Sequence, residues 1–280
     1  GKETMTLDPL YESGDVLARL PLGIIIRVNP PGSAHPVIAK IFAPPSSLPA
    51  EFCETMLNTM AKEASALRET GNNQIVQPLE IIREPGLLIV HFPCANLPAL
   101  SQFVKNKKPL SPQTVWTFIK QLKKIHDDLA AINIQRFQFD PDFLTVSEDD
   151  LRLFYLDIAM VNLAKHIEAI SFGYLDGLPQ LLPPEVVCGN SPCAASPVYL
   201  FSIMAHYLLS GEMFLDSHSF VARGALGISE PLPPVRRFEP ARAEMVNDVL
   251  ERGSDKNPSR RIPALPQFMI ELAEALGIEA

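Results

Sequence analysis

The feature that most constrains the fold is an almost uninterrupted apolar stretch that runs from Ser196 to Met213. Between Val198 and Leu209 the apolar side chains point in every direction around a helix, and Gly211 follows where a C-cap is expected. A helix that is apolar on every side is buried on every side. Its length of about 12 residues is too short to cross a bilayer, which takes about 20. The stretch therefore predicts a buried helix at the centre of a large helical domain.

Length and charge narrow the class of protein further. A chain of 280 residues, 47% of them apolar, is long enough for one large domain or for two lobes with a real core. The formal charge of -8 argues against a protein that binds nucleic acid or an anionic membrane, because no face can be broadly basic. We therefore expect no nucleic-acid partner and no membrane insertion in this segment.

The cysteines indicate a reducing compartment. Cys188 and Cys193 have a spacing that permits a redox or zinc pair, but no second pair of cysteines or histidines has ligand spacing, which favours structural cysteines. No signal peptide precedes them, so we expect a cytoplasmic protein. Gly1 resembles a cloning remnant, and the chain is therefore expected to be the cytosolic domain of a longer protein.

The first third of the chain is rich in short strands and tight turns. A helix is predicted between residues 42 and 75. Ser46, Ser47 and Pro49 open it, and Gly71 ends it. Alternation of apolar residues and turn signals predicts the strands over residues 16–19, 23–28, 37–42, 75–82 and 87–92.

Two charged residues lie on elements that are otherwise apolar. Lys40 interrupts the apolar strand over residues 37–42, and Glu63 shares the apolar face of the helix that follows. Buried charges persist mainly when they are paired, so the two residues are predicted to form an ion pair. The alternative is that Lys40 stands on a strand edge by chance.

Helical periodicity replaces the strand pattern after Asn96. A helix over residues 111–131 is followed by a polar and aromatic loop and by a hairpin that ends at Asp157. This order predicts a two-lobed α+β chain. Residues 1–95 are predicted to form an N-lobe with an antiparallel sheet and one helix, and residues 96–280 a helical C-lobe.

The order of elements and several motifs resemble the eukaryotic-type protein kinase fold over nearly the whole chain. The segment ending at Lys40 is similar to the V-A-I-K motif, and Glu63 lies on the counterpart of helix αC, so the resemblance implies the same ion pair. Pro183-Pro184-Glu185 resembles A-P-E, and the apolar helix matches the central helix αF. The stretch that ends at Arg261 resembles the C-lobe segment whose arginine binds the A-P-E glutamate, which implies a structural Glu185–Arg261 pair.

The catalytic motifs depart from that pattern. The glycine loop reads Ala18 to Gly23 and keeps only its last glycine, which restricts the backbone that would cover a phosphate. In the register that places Asp142 at the metal-binding asparagine, Gln135-Arg136-Phe137 stands where H-R-D belongs, and Phe137 cannot accept a proton. Asp157-Ile158-Ala159 replaces D-F-G. Pro197 stands where αF carries the aspartate that anchors the catalytic loop.

What remains is a degenerate nucleotide site. No cofactor is certain from the sequence; ATP with magnesium is the ligand that the resemblance implies, and Asp142 and Asp157 are its implied magnesium ligands. The candidate nucleotide-binding residues are Lys40, Glu63, Cys94, Asp142 and Asp157.

Three functional classes follow from these features. The favoured one is a pseudokinase that binds a protein partner or acts as an allosteric regulatory module, with weak or no nucleotide binding and no catalytic residue. The second is an atypical transferase of phosphoryl or AMP groups, because phosphoryl transfer relies mainly on positioning and charge. The third is a structural domain with a filled nucleotide cleft.

The basic stretch from Val104 to Lys108 is interpreted as the solvated end of a helix, and a basic docking patch is the alternative.

Overall fold

The computed structural model describes residues 8–20, 23–137, 139–158, 182–215 and 229–279. The chain divides into two compact units at Asn96 and Leu97. The two units are described separately below.

An antiparallel sheet dominates the first unit. Its strands lie in the order β1-β2-β3-β5-β4. In this arrangement β3 lies at the centre of the sheet, and its register places Lys40 opposite Ile25 on one side and Val90 on the other. The strand bounds are β1 (Asp15–Leu20), β2 (Gly23–Val28), β3 (Val37–Phe42), β4 (Glu80–Glu84) and β5 (Leu87–Pro93).

One strand is shorter than the sequence predicts. The expected strand over residues 75–82 begins only at Glu80. The Asn72 side chain accepts a hydrogen bond from the Gln74 backbone at 2.9 Å, and the Asn72 carbonyl accepts one from Ile75 at 3.1 Å. The chain therefore forms an Asx turn directly before Ile75, whose side chain is buried, and the strand of the sheet begins five residues later.

The helix of the first unit, α2 (Ala50–Ala66), packs on β4 and β5. A separate four-residue helix, α1 (Pro9–Glu12), lies before β1. Helix α2 continues as a 3₁₀ turn over Leu67–Glu69. The prediction for its start was wrong, because Pro49 is the N-cap residue and no side chain caps the helix. Met56, Met60 and other apolar residues form its buried face. An ion pair between Arg83 and Glu54 links β4 to this helix.

The second unit is built around one buried helix, α6 (Ser196–Ser210). Apart from Pro197 and Ser210, every residue of α6 is buried, as the apolar stretch predicts. Gly211 ends α6 in a left-handed conformation with φ 78°, which glycine adopts without strain. The other elements are α3 (Leu100–Lys107), α4 (Pro112–Ala131), β6 (Leu144–Ser147), β7 (Arg152–Tyr155), α5 (Pro184–Val187), α6 (Ser196–Ser210), α7 (Pro240–Gly253) and α8 (Leu265–Ala275).

The helices α4, α7 and α8 pack on α6, and β6 and β7 form a separate antiparallel hairpin. This arrangement, with a sheet and one long helix in the first unit and helices in the second, is an α+β fold. Within the described ranges, no helix combines the length and the apolar character that crossing a bilayer requires.

Three buried or half-buried histidines have lowered pKa values. Burial lowers the pKa of His206, of His126 and of His91, and nearby oxygens or carboxylates offset this only in part. The Nε2–H of His206 donates to the Pro233 carbonyl at 2.8 Å, and Nδ1 has no hydrogen-bond partner among the described residues. A proton on Nδ1 would therefore be buried without an acceptor.

We expect the free energy of unfolding to fall as the pH drops below about 6.5, the ordinary pKa of histidine. Below that value the unfolded chain binds protons that the folded chain does not, so stability is complete above it and is lost on acidification. Urea denaturation at pH values from about 7.5 to about 5.5 measures the slope. The slope should be smaller for His206→Gln, and an unchanged slope would remove His206 from this effect.

Candidate functional site

The end of the β6–β7 hairpin holds a buried carboxylate, Asp157, which is 1% exposed. The guanidinium of Arg136 binds it with two parallel hydrogen bonds, from Nε to Oδ1 at 2.8 Å and from Nη2 to Oδ2 at 3.0 Å. Arg136 itself is 3% exposed. A planar guanidinium matches a carboxylate in this bidentate geometry, which gives a strong, charge-assisted interaction. The negative charge of Asp157 is thus neutralised within the protein.

A third residue, Tyr155, completes this buried group. Its hydroxyl donates to Oδ1 of Asp157 at 2.7 Å. Burial, together with the negative charge of Asp157, raises the pKa of Tyr155 well above its ordinary value. Tyr155 is therefore a protonated donor at neutral pH. Both oxygens of Asp157 accept hydrogen bonds from within the protein.

The geometry around Asp157 and Asp142 does not fit a magnesium ion. Mg²⁺ requires an octahedral set of oxygen ligands and is usually bound through one or two free carboxylates. The Asp157 oxygens are engaged by a cation and a hydroxyl, and the exposed Asp142 side chain accepts a hydrogen bond from Ser101. Among the described residues, no group of three or more acidic, histidine or cysteine side chains has the arrangement of a metal site.

The loop before the hairpin presents an apolar side chain at Phe137. This residue is 3% exposed and packs in a cluster with Leu182 and Val186, which flank or belong to the short helix α5. Phe137 has no group that can accept a proton. The side chain at position 137 therefore makes apolar packing contacts and presents no polar group to solvent.

A second buried ion pair, Glu185–Arg261, lies between α5 and the segment after α7. Arg261 donates from Nη1 to Oε2 of Glu185 at 2.7 Å and from Nη2 to Oε1 at 2.9 Å. The Ser196 hydroxyl at the start of α6 donates to Oε2 at 2.8 Å. Burial alone would raise the pKa of Glu185, but these hydrogen bonds and the positive charge hold it below its ordinary value. The pair therefore remains ionised at neutral pH.

Comparison with solved structures decides the fold. The crystal structure of the Mycobacterium tuberculosis PknI kinase domain superposes with a TM-score of 0.64 at 16% sequence identity, covering 96% of this chain and 100% of that chain. The chain has a protein kinase-like fold. No protein-family model matches the sequence.

Curated relatives of this kinase-like chain are named as kinases. Serine/threonine-protein kinase pkn3 of Myxococcus xanthus is 24% identical over 230 residues, which is 75% of this chain and 40% of that protein. Probable serine/threonine-protein kinase PknB of Lactococcus lactis is 19% identical over 221 residues, 78% of this chain and 35% of that protein. The chain thus spans less than half the length of the relatives it matches.

The remaining candidate residues of the kinase-like fold lie in the first unit. Lys40 is 3% exposed, and its Nζ lies 5.4 Å and 5.8 Å from the ring centroids of Phe92 and Phe42. Glu63 is half-buried on α2, and Cys94 is a half-buried free thiol after β5. The ion pair between Lys40 and Glu63 stays a prediction.

The counterpart of the kinase glycine loop is described in part. Residues 18–20 belong to β1, Gly23 begins β2, and Pro21 and Leu22 lie outside the described residues, as does Ala159 of the D-F-G counterpart. A Cβ on Gly23 would be 2.6 Å from the carbonyl oxygen of Ile41. The glycine that remains in this loop is thus required for close packing of β2 on β3.

Sequence reasoning missed the partners of Asp157. It placed Arg136 in the H-R-D counterpart without a role, and it did not consider Tyr155. The signal that could have identified Arg136 is its position in a polar loop next to an aspartate-terminated hairpin, since a buried carboxylate needs a cation. The spacing of 21 residues between Arg136 and Asp157 carries no periodic pattern from which a contact could be read.

Proposed function

We propose that this chain is a pseudokinase domain, which acts as a protein-binding or allosteric regulatory module and binds nucleotide weakly or not at all. The observation that carries the proposal is the bidentate Arg136–Asp157 pair. Asp157 is the counterpart of the aspartate that holds magnesium in kinases. In this chain a guanidinium satisfies it, so a metal would have to displace a buried ion pair before it could bind.

The loss of the catalytic base that the sequence predicts supports the same proposal. In the register set by Asp142, Phe137 is the counterpart of the H-R-D aspartate, and its side chain is part of an apolar cluster. Loss of a general base typically lowers a rate by about 10² to 10⁴, which weakens a kinase without necessarily abolishing it. Loss of magnesium binding would add to this, because phosphoryl transfer depends mainly on neutralising the charge on the phosphates.

The alternative is an atypical transferase that moves a phosphoryl or AMP group. Two observations favour it: Asp157 is retained, and Lys40 is buried on a central strand as in a nucleotide site. A transferase of this kind would need Asp157 to exchange Arg136 for a metal ion. A structural domain with a filled nucleotide cleft is the third possibility, and it predicts no response to ATP.

Incubation with labelled ATP, magnesium or manganese, and a panel of proteins is expected to give no label transfer above background. The reason is the combined loss of the base and of a free metal-binding carboxylate. Products are identified by mass spectrometry, so that transfer of AMP is also detected. Label transfer that disappears in Asp157→Ala would overturn the pseudokinase proposal and support the transferase.

A thermal shift with ATP and magnesium measures whether the chain binds nucleotide. A pseudokinase with weak nucleotide binding shows a small rise in Tm only at high ATP concentration, because stabilisation follows RT ln(1 + [L]/Kd). No shift at any concentration would mean that ATP does not bind, which is expected both for a pseudokinase without nucleotide binding and for a filled cleft. In either case, the proposed partner is a protein in the cytoplasm.

A further inference from the structure

Five cations lie at one end of the second unit. Lys105 and Lys107 are in the last turn of α3, Lys108 follows it, and Arg236 and Arg237 precede α7. All except Arg237 are exposed. These five residues are called the basic surface below.

Two contacts bring the lysine segment and the arginine pair to the C-terminal end of α6. The Arg237 guanidinium donates to the carbonyl oxygens of Leu110 at 2.5 Å and of Leu209 at 3.3 Å. The Lys108 side chain lies against Gly211, with Cδ 2.9 Å from the position that a Cβ on this glycine would take. Residues that are far apart in sequence therefore meet around Leu209 and Gly211.

The charge of the basic surface is not neutralised within the described part of the chain. Elsewhere, Lys123 and Lys124 pair with Asp127 and Asp128, whereas no carboxylate of the described residues forms an ion pair with any member of the basic surface. Glu212 is an exposed acid next to Gly211. The negative ends of the α3 and α6 dipoles favour cations here but leave their charge facing solvent.

We propose that the basic surface binds a short acidic segment of a partner protein. An extended polyanion, such as a membrane or a nucleic acid, would also face the rest of a chain whose formal charge is -8. A short peptide with a few carboxylates meets only the basic surface, because salt screens charges beyond about 8–10 Å. Complementary charge at such a surface gives specificity and fast association. This inference rests on the proposed role as an interaction module and names the chemistry of its partner.

The test measures fluorescence anisotropy of a short fluorescein-labelled peptide in which glutamate alternates with glycine, and of its glutamine counterpart. We expect the glutamate peptide to bind, the glutamine peptide not to bind, and binding to weaken as salt rises from about 50 to about 300 mM. The variant Lys105→Glu, Lys107→Glu, Lys108→Glu should lose at least about tenfold in affinity.

A control variant with the same change of net charge isolates the surface. Reversing three exposed cations elsewhere, as Lys62→Glu, Lys120→Glu, Arg260→Glu, should change the affinity by less than about twofold. Equal losses in both variants would overturn the proposal, since bulk charge would then explain binding. If the triple lysine variant has a lower Tm than the control variant, the single variant Arg236→Glu is used instead. Its affinity for the peptide is then compared with that of the single variant Lys120→Glu.

Three further outcomes distinguish a protein partner from a membrane surface and separate this proposal from the pseudokinase proposal. Tighter binding of the wild type to vesicles containing phosphatidylglycerol than to the glutamate peptide would overturn the proposal in favour of a membrane surface. Failure of the glutamate peptide to bind would overturn the proposal for the basic surface. It would leave the pseudokinase proposal standing, because the labelled-ATP assay tests that separately. Asp157-dependent label transfer would remove the pseudokinase proposal without affecting the peptide result.

Discussion

Replacing Arg136 with alanine is expected to lower the free energy of unfolding by about 3–5 kcal/mol, because it leaves a carboxylate buried without its counter-charge. Asp157 is 1% exposed. After the substitution, the Tyr155 hydroxyl still donates one hydrogen bond at 2.7 Å, but the two charged hydrogen bonds from the guanidinium are lost. Urea denaturation of the variant and the wild type measures the difference, provided that the m-value is unchanged.

Two comparisons separate the buried pair from a general effect of removing charge. The double variant Arg136→Met, Asp157→Leu removes both charges and should recover most of the lost stability, since apolar residues often replace a buried pair without cost. Lys124→Ala breaks a solvent-exposed pair and should cost less than about 1 kcal/mol. A loss for Arg136→Ala as small as that for Lys124→Ala would mean that Asp157 is solvated, and the argument against a metal ion would then fail.

The buried helix α6 shows which parts of the fold could be predicted from the sequence. Its apolar residues lie on every side of the helix, and in a soluble protein such a helix is stable only when it is buried on every side. The strands β1, β2, β3 and β5 also carry local signals, because apolar runs between turn residues are strand signals. The error at Ile75 arose where an Asn side chain competes for backbone hydrogen bonds, which hydrophobic pattern alone does not reveal.

The candidate site could be predicted only where a motif names a residue. The A-P-E-like segment identified Glu185, and the counterpart of D-F-G identified Asp157. The resemblance also named Arg261 as the partner of Glu185, whereas no local signal pointed from Asp157 to Arg136, because these two residues meet through tertiary packing 21 residues apart. The role assigned to Asp157 therefore changes once its hydrogen-bond partners are known. The same carboxylate is a metal ligand if its oxygens are free and a structural ion-pair partner if a guanidinium holds them.

Replacing Arg261 with alanine is expected to cost about 3–5 kcal/mol of unfolding free energy. Arg261 is 3% exposed, and its guanidinium binds both oxygens of Glu185 as well as the carbonyl oxygens of Ala195 and Asp255, each at 2.9 Å. Its removal leaves the Glu185 carboxylate with the hydrogen bond from the Ser196 hydroxyl at 2.8 Å, and two carbonyl groups lose a charged donor. Urea denaturation at neutral pH, where Glu185 is ionised, measures the loss.

Arg252 provides the matched control, because it is an arginine of the same unit that also binds a carboxylate. Its hydrogen bonds to Glu271 and Asp248 lie at the surface, where its side chain is 41% exposed. Arg252→Ala should therefore cost less than about 1 kcal/mol. The difference between the two variants is the effect of burial on an ion pair of the same chemistry. Equal Tm values for Arg261→Ala and the wild type would show that the Glu185–Arg261 pair does not hold α5 to the segment after α7.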